Sequence, residues 1–267
     1  MSNNPYIIAG GWAGVDRLKV LAEATWPASV GALRRYGVGP GMRGLDVGCG
    51  VGERADRIAS EFGKDCLVVG IDMDLEAVTL AQSDSRRVEF PHVSFIAGDA
   101  TACPDLGTFD LIYCRFLLSH LRNPESLLSG LRKSLRSGGI LLVEDVDFSG
   151  HFSFPKSSAF DRYVEMYTLT AQKNGADPLI GPKLASLLVR SGYNEVDVSL
   201  TQPVFMNGPG KLMASLTWAN IRESVVASGL IDSDGAVSLD LALGELTRDG
   251  ASLISLPRIF QASGRRA

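Results

Sequence analysis

Apolar residues along the chain form short runs that alternate with segments of helical spacing. The runs, apolar at most positions, span 43–47, 66–71, 93–97, 109–113 and 140–143. Between them, apolar residues at 53–62, 75–83 and 124–135 recur every three to four positions, which is the period of a helix. Strands that are apolar on both faces and alternate with helices are typical of a parallel sheet with helices on both sides. The pattern therefore predicts an α/β fold with a doubly wound, mostly parallel sheet.

The pattern changes on both sides of this core. A helix is predicted at 18–36, and after Asp147 we expect helices at 157–174, 181–191 and across most of 212–246, with strands at 196–203 and 252–260. We interpret the chain as one domain, 1–267, comprising an N-terminal lid segment 1–36, a core 37–148, a cap insertion 149–180 and a second helical insertion 208–248. Both insertions should lie above the carboxyl ends of the strands, where open α/β sheets bind ligands.

Composition narrows the classes of partner. A net charge of −4 over 267 residues provides no basic footprint, so we expect no nucleic-acid partner. The four cysteines are scattered without a C-x-x-C pair, which disfavours a metal or disulfide framework. No apolar run approaches the roughly 20 residues that span a bilayer, and no secretory signal precedes the core. We expect a cytoplasmic protein without membrane contact, and a homodimer remains open.

A glycine-rich turn follows the first strand. Gly48, Gly50 and Gly52 allow the backbone to bend sharply and to approach a ligand closely. A dinucleotide site favours the spacing G-x-G-x-x-G, whereas this turn has D-x-G-x-G-x-G. Asp46 adds negative charge, which disfavours a pyrophosphate and accommodates a positively charged sulfonium amino acid. The alternative is a purely structural turn.

Acidic residues also end the next two strands. Asp72 is placed to accept hydrogen bonds from both ribose hydroxyls of a nucleoside ligand. Asp99 is placed to accept the adenine amino group, although a turn-stabilising role is the alternative. Asp74, two residues after Asp72, is a candidate helix cap.

The ordered motifs LDVGCGVG, VVGIDMD, GDA, FDLIYCRFLLSHL and LRSGGILLVEDVDF resemble the class I S-adenosylmethionine-dependent methyltransferases across about residues 45–148. The resemblance implies a seven-stranded sheet with an antiparallel last strand, and S-adenosyl-L-methionine as cofactor. It implies a cofactor site in which glycine-turn residues hold the methionine part, Asp72 the ribose and Asp99 with Ala100 the adenine. The other implied site residues are Cys49, Met73, Cys114 and Arg115.

The start of the chain resembles a bacterial subgroup of this family that acts on small molecules. The matching residues are Tyr6, Gly10, Gly11, Arg17 and Leu18. In related enzymes such a segment closes over the cofactor, so the resemblance implies that Tyr6 and Arg17 contact it. Arg17 could pair with the methionine carboxylate, and a solvated helix-face arginine is the alternative.

The methyl acceptor is indicated less directly. Transfer from a sulfonium needs alignment in a closed site, and a base only where the acceptor must lose a proton. His151 lies in an aromatic loop after the fifth strand and is the preferred candidate base; His120 follows the fourth strand and is the second. Glu144, in an acidic group with Asp145 and Asp147, could act as a base or orient a histidine, and no metal site is predicted there.

An aromatic stretch of the cap insertion suggests a pocket for a small organic molecule. It comprises Phe152, Phe154, Phe160, Tyr163, Met166 and Tyr167, and packing of the cap on the sheet is the alternative. We expect methylation of an oxygen or nitrogen, with carbon also open. The rival functions are an RNA or protein methyltransferase and a non-catalytic S-adenosylmethionine-binding regulator.

Overall fold

Parallel strands form the centre of the molecule. The computed structural model describes residues 15–63, 65–84 and 88–267. Among these lie the strands β1 (Arg43–Val47), β2 (Leu67–Asp72), β3 (Val93–Ala97), β4 (Phe109–Arg115), β5 (Leu135–Asp147), β6 (Ser153–Phe154), β7 (Asn194–Thr201), β8 (Val204–Phe205), β9 (Leu253–Ser255) and β10 (Arg258–Arg265). The main sheet has seven strands in the order β3-β2-β1-β4-β5-β10-β7.

The predicted sheet is confirmed. Neighbouring strands from β3 to β5 pair in parallel, and β10 is antiparallel to both of its neighbours, β5 and β7. Parallel central strands are buried on both faces, which explains their nearly continuous apolar sequences. One apolar core lies on each face of the sheet, the first around Leu128 and Leu141 and the second around Leu33 and Ile58.

The helices match the predicted positions closely. They are α1 (Val15–Arg35), α2 (Glu53–Phe62), α3 (Leu75–Ser83), α4 (Pro124–Ser134), α5 (Ser158–Lys173), α6 (Leu184–Arg190), α7 (Met213–Ala227) and α8 (Ser233–Arg248). Asp74 caps α3, because its side chain accepts from the backbone N–H groups of Glu76 and Ala77. The first turn of the helix predicted from Gly181 is a separate 3₁₀ turn, Gly181–Lys183.

Two strand predictions were wrong in extent. The fifth strand, predicted at 140–143, runs from Leu135 to Asp147 and thus begins where the preceding helix was expected to end. The predicted strand 252–260 is two strands, β9 and β10, which belong to different sheets. Pro257 lies between them, and its missing N–H interrupts a ladder of backbone hydrogen bonds.

The helices of the two predicted insertions form one layer. α5 packs against α7 and α8 around the fully buried Trp218. The small sheet β6-β9-β8 borders this layer. The exact bounds of the lid and the insertions stay predictions. Within the described part of the chain, no helix combines the length and apolarity that a membrane crossing requires.

Candidate active site

The glycine turn between β1 and α2 is shaped by backbone geometry that favours glycine. Gly50 has φ +53, and a Cβ added there would meet no atom within 4 Å. Gly52 has φ +82, and its added Cβ would lie 2.5 Å from Cζ of Phe95. Gly50 therefore leaves open space for a ligand, whereas Gly52 allows the turn to pack against β3.

Asp72 joins this turn to the end of β2. Its Oδ2 accepts the Gly50 N–H at 2.8 Å, and its Oδ1 accepts the Asp74 N–H at 2.9 Å. Burial raises the pKa of Asp72, and the backbone hydrogen bonds oppose that increase. Each carboxylate oxygen has a second lone pair, so the side chain can still accept the two hydroxyls of a ribose.

Asp46 is the most perturbed acid of the turn. It is 2% exposed, and its Oδ2 has no hydrogen-bond partner in the structure. Burial raises the pKa of Asp46 to about 7, opposed by the charges of Arg115 and Arg54. A buried carboxylate oxygen without a partner at a cavity wall is suited to a charged donor on a ligand.

Two arginines lie near Asp46. Arg115 donates from Nη1 to Oγ1 of Thr25 at 2.8 Å, and Arg54 donates to the same hydroxyl and to the Ala22 carbonyl oxygen. Burial and the positive charge of the neighbouring Arg54 lower the pKa of Arg115 to about 10. Thr25 thus fixes both guanidinium groups beside the acid.

A single cavity of about 690 Å³ contains these groups and extends beneath the cap. We call one part the glycine-loop half, lined by Asp46, Gly48, Cys49, Gly50, Glu53, Arg54, Asp72, Met73, Asp74, Glu76 and Arg115. The other part is the cap half, lined by Arg17, His120, Val146, Phe148, His151, Tyr163, Tyr167, Met213, Thr217 and Leu256. The volume is typical of a pocket for small molecules.

Aromatic rings form much of the cap half. The His151 ring meets the rings of Phe148, Phe160 and Tyr163 edge-on, with centroids 5.3, 4.9 and 5.9 Å away. Burial lowers the pKa of His151 to about 3, so its ring is neutral at physiological pH. Phe148 also stacks on Tyr167 with centroids 4.0 Å apart. This half is therefore a mostly apolar compartment.

His120 and Arg17 lie together in the cap half. Burial lowers the pKa of His120 to about 4, and the positive charge of Arg17 contributes to this shift. Arg17 donates from Nε to Oγ1 of Thr217 on α7 at 3.1 Å. The structure thus brings both predicted bases, His151 and His120, into one cavity with some of the predicted cofactor residues, among them Asp46 and Asp72.

Glu144 does not line the cavity, contrary to its predicted catalytic position. Its carboxylate accepts hydrogen bonds from Ser29 at 2.7 Å, from Tyr113 and from Gln261. The side chain is 1% exposed. These donors come from α1, β4 and β10, so the carboxylate links a helix to the sheet and its position indicates a structural role.

Cys114 also lies away from the cavity. Side chains of consecutive strand residues point to opposite faces, and on β4 Arg115 faces the cavity while Cys114 is buried in the apolar core on the other face. Burial raises the pKa of its thiol. Of this predicted pair, only Arg115 is positioned to contact a ligand.

Asp99 and Ala100 are outside the cavity lining as well. Asp99 is exposed, and its Oδ1 accepts the N–H and the hydroxyl of Thr101 at 2.8 and 2.6 Å. This is the turn-stabilising geometry, and an adenine contact by either residue stays a prediction. Tyr6 lies outside the described residues, as do Gly10 and Gly11.

The acidic group on β5 does not converge. Asp145 accepts the N–H groups of Ser119 and Val146, and Asp147 forms a salt bridge with Arg258 at 2.8 Å. Glu144 belongs to the separate network with α1. Within the described residues, no set of three potential metal ligands comes together.

The aromatic stretch of the cap divides between two roles. Tyr163 and Tyr167 line the cavity, Phe160 and Met166 are buried in the cap core, and Phe152 and Phe154 are 42% and 66% exposed. Some of these residues therefore line the pocket, and others pack the cap.

Several lining residues were not singled out from the sequence, among them Arg54 and Thr217. Arg54 follows the glycine turn directly, so its place in the first turn of α2 could have indicated a role. Thr217 is in the middle of a helix, where nothing in the sequence distinguishes it.

The glycine-loop half fits S-adenosylmethionine. The partnerless Asp46 oxygen suits an ammonium group, and the open space at Gly50 admits the chain of an amino acid. Met73 is 57% exposed and lines the cavity beside Asp72, where an adenine ring can pack against its thioether. Five acidic and two basic side chains line this half, which favours a cationic ligand.

Known proteins with related sequences support the same assignment. The family model of the methyltransferase domain matches residues 39–179, more than half of the chain. Trans-aconitate 2-methyltransferase from Deinococcus radiodurans is 29% identical over 210 residues, which cover 76% of this chain and 77% of that protein. An O-methyltransferase from Aspergillus nomiae is 26% identical over 194 residues, covering 72% and 82% of the two chains.

Solved structures share the fold. Phosphoethanolamine N-methyltransferase 2 from Haemonchus contortus, solved with phosphomonomethylethanolamine and S-adenosylhomocysteine, superposes with a TM-score of 0.55 at 19% identity. The match covers 91% of this chain and 53% of that one. A cyclase superposes with a TM-score of 0.54 at 19% identity, covering 97% and 84%. The fold alone therefore does not determine the reaction.

The family match and the structural agreement lead to one conclusion. A seven-stranded sheet with an antiparallel strand next to its edge carries the glycine turn, Asp46 and Asp72 at one cavity wall. This chain belongs to the class I S-adenosylmethionine-dependent methyltransferases.

Proposed function

We propose that this enzyme transfers a methyl group to an oxygen or nitrogen atom of a small organic molecule that binds in the cap half. The observation that supports the proposal best is the continuity of the cavity. The glycine-loop half opens directly into an aromatic compartment, where a small acceptor can meet the donor. Of the relatives, one is named for trans-aconitate and another as an O-methyltransferase.

When bound, S-adenosylmethionine supplies an electrophilic methyl group on a positively charged sulfur. Asp46 binds the ammonium group, and Arg54 and Arg115 lie close enough to Asp46 to bind the neighbouring carboxylate. Asp72 holds the ribose hydroxyls. Together these residues would hold the donor in the glycine-loop half and leave the cap half for an acceptor.

The cap half contributes alignment and exclusion of water. Phe148, Tyr163 and Tyr167 offer flat apolar surfaces to an acceptor, and a dry site strengthens the charge interactions within it. The ring nitrogens of His120 and His151 are uncharged at neutral pH and can accept a proton from a hydroxyl or ammonium acceptor. Their lowered pKa values make both of them weak bases.

Transfer of label tests the proposal. The protein is incubated with radiolabelled S-adenosylmethionine and an extract of its host organism, and small-molecule, RNA and protein fractions are counted separately. We expect label in the small-molecule fraction, and none with Asp72→Ala, which removes the ribose ligand. Asp105→Asn, an exposed loop acid, is the matched control.

Two other results would contradict the proposal. Label confined to RNA or protein would indicate a macromolecular substrate. Binding of S-adenosylhomocysteine without label in any fraction would indicate a non-catalytic, cofactor-binding regulator.

A further inference from the structure

One charged side chain stands out in the cap half. Among the described residues that line it, Arg17 is the one that carries a charge at neutral pH, because burial keeps His120 and His151 neutral. Its neighbours are aromatic, apolar or hydroxyl groups. A cation in such surroundings is costly unless an anion or several hydrogen bonds compensate for it.

The partners of Arg17 orient it without neutralising it. Nε donates to the Thr217 hydroxyl at 3.1 Å, and the phenol of Tyr163 interacts with both Thr217 and Arg17. No described carboxylate forms a salt bridge with Arg17, and the groups that act on its charge are the hydroxyls of Tyr167 and Tyr163. Contact through Nε leaves the two terminal nitrogens for a ligand, and their geometry suits two oxygens of one anion.

Arg17 is remote from the end of the cavity where the methionine part fits. Arg17 and Thr25 are eight residues apart on α1, a rise of about 12 Å along the helix axis. Thr25 is the residue that holds Arg54 and Arg115 beside Asp46. Those two arginines, rather than Arg17, are placed to receive the methionine carboxylate.

We propose that Arg17 binds an anionic group, a carboxylate or a comparable oxyanion, of the methyl acceptor. This inference rests on the proposed small-molecule activity and specifies its substrate class: an organic acid with an apolar body. Thr217 and Tyr163 act as positioning residues that hold the guanidinium in place. The enzyme then binds a cationic donor in an acidic half and an anionic acceptor beside a single cation.

The test separates the small molecules of a host extract by charge. The extract is passed over an anion exchanger at pH 7, and the retained and unretained pools are assayed with the enzyme and radiolabelled S-adenosylmethionine. We expect the labelled product to arise from the retained pool. Labelling of the unretained pool alone would overturn this inference while leaving the proposed function intact. Absence of label from both pools would overturn the proposed function, and this inference with it.

Variants then assign the anion to Arg17. With the retained pool as acceptor, Arg17→Gln should raise the concentration needed for half-maximal rate by about tenfold or more, as expected for loss of a charge-assisted pair. Affinity for S-adenosylhomocysteine, measured by calorimetry, should stay within about twofold. Arg17→Lys should show an intermediate loss, because its ammonium keeps the charge but not the two-pronged geometry.

Lys19→Gln is the matched control, since Lys19 is exposed two positions away on α1. It should behave as the unmodified protein. Thermal unfolding of each variant shows that it is folded. If Arg17→Gln weakens S-adenosylhomocysteine binding and leaves acceptor use unchanged, Arg17 belongs to the cofactor site and the inference is wrong.

Discussion

Asp46 provides the sharpest test of the site, through the substitution Asp46→Asn. Asparagine has the same shape but cannot ionise. Burial raises the pKa of Asp46 from the ordinary value of 3.8 to about 7. That difference of about three pH units corresponds to about 4 kcal/mol, at 1.36 kcal/mol per unit. Ionised Asp46 therefore destabilises the ligand-free protein by an amount of this order.

The sign of the pH dependence follows from the direction of the shift. The folded protein holds the Asp46 proton more tightly than the unfolded chain does. Protonated Asp46 therefore favours the folded state at low pH. The advantage falls as pH rises from about 4 to about 7 and is lost above that. Asp46→Asn should thus raise the free energy of unfolding at pH 8.5, by up to about 4 kcal/mol, and change it little at pH 4.

Ligand binding should respond in the opposite direction. The ammonium of S-adenosylhomocysteine pairs with the ionised carboxylate, so Asp46→Asn should weaken its binding by about tenfold to a hundredfold. Near pH 7 about half of Asp46 is protonated, and binding should release about half a proton. Calorimetry in two buffers of different ionisation enthalpy measures that release, and urea unfolding at both pH values measures stability.

Normal affinity of Asp46→Asn for S-adenosylhomocysteine would contradict this role of Asp46, as would a stability with the same pH dependence as that of the unmodified protein. Asp105→Asn, which removes an acid from an exposed loop, should alter neither measurement. Equal binding heats in the two buffers would show that Asp46 is already ionised in the free protein.

Three further substitutions test other parts of the structure. Gly52→Ala places a Cβ 2.5 Å from Phe95 on a residue with φ +82, so urea unfolding should show a free energy of unfolding lower by about 3 kcal/mol. A decrease below about 1 kcal/mol would contradict the close contact between the turn and Phe95. Tyr113→Phe removes a hydrogen-bond donor from buried Glu144 and should lower the free energy of unfolding by about 1–3 kcal/mol. The affinity for S-adenosylhomocysteine should stay the same; a changed affinity would show that the hydrogen bonds of Glu144 belong to the cofactor site. Because the pKa of His151 is about 3, His151→Asn should leave any limb of the kcat/KM profile near pH 7 in place, and its disappearance would identify His151 as the titrating group.

The strands and helices of the core could be predicted because apolar residues recur where the chain is buried. Apolar runs located the parallel strands, and residues at their carboxyl ends, such as Asp46 and Asp72, were correctly placed at one cavity. The last predicted strand was wrong because an apolar run does not show which sheet each half joins. Pairing partners of β9 and β10 depend on contacts far apart in sequence.

The sequence predicted which segments form the site, but not the direction in which each side chain points. On β4, Cys114 and Arg115 were both expected at the ligand, but alternation sends one to the core. On β5, the same alternation sends Glu144 toward α1, while Asp145 faces Ser119. Which face of a strand meets a cavity is a property of the assembled layers, so neighbouring positions could not be separated beforehand.

The place of β10 in the sheet has a consequence for folding. β10 lies between β5 and β7 although it follows β7 by more than fifty residues in the chain. β7 has no sheet neighbour among the described strands until β10 arrives, whereas β1 to β5 can pair in the order of synthesis. Long-range pairing of this kind is slow. We expect the strands that carry the glycine turn, Asp46 and Asp72 to pair first during synthesis, and the sheet to be completed only once β10 has been made.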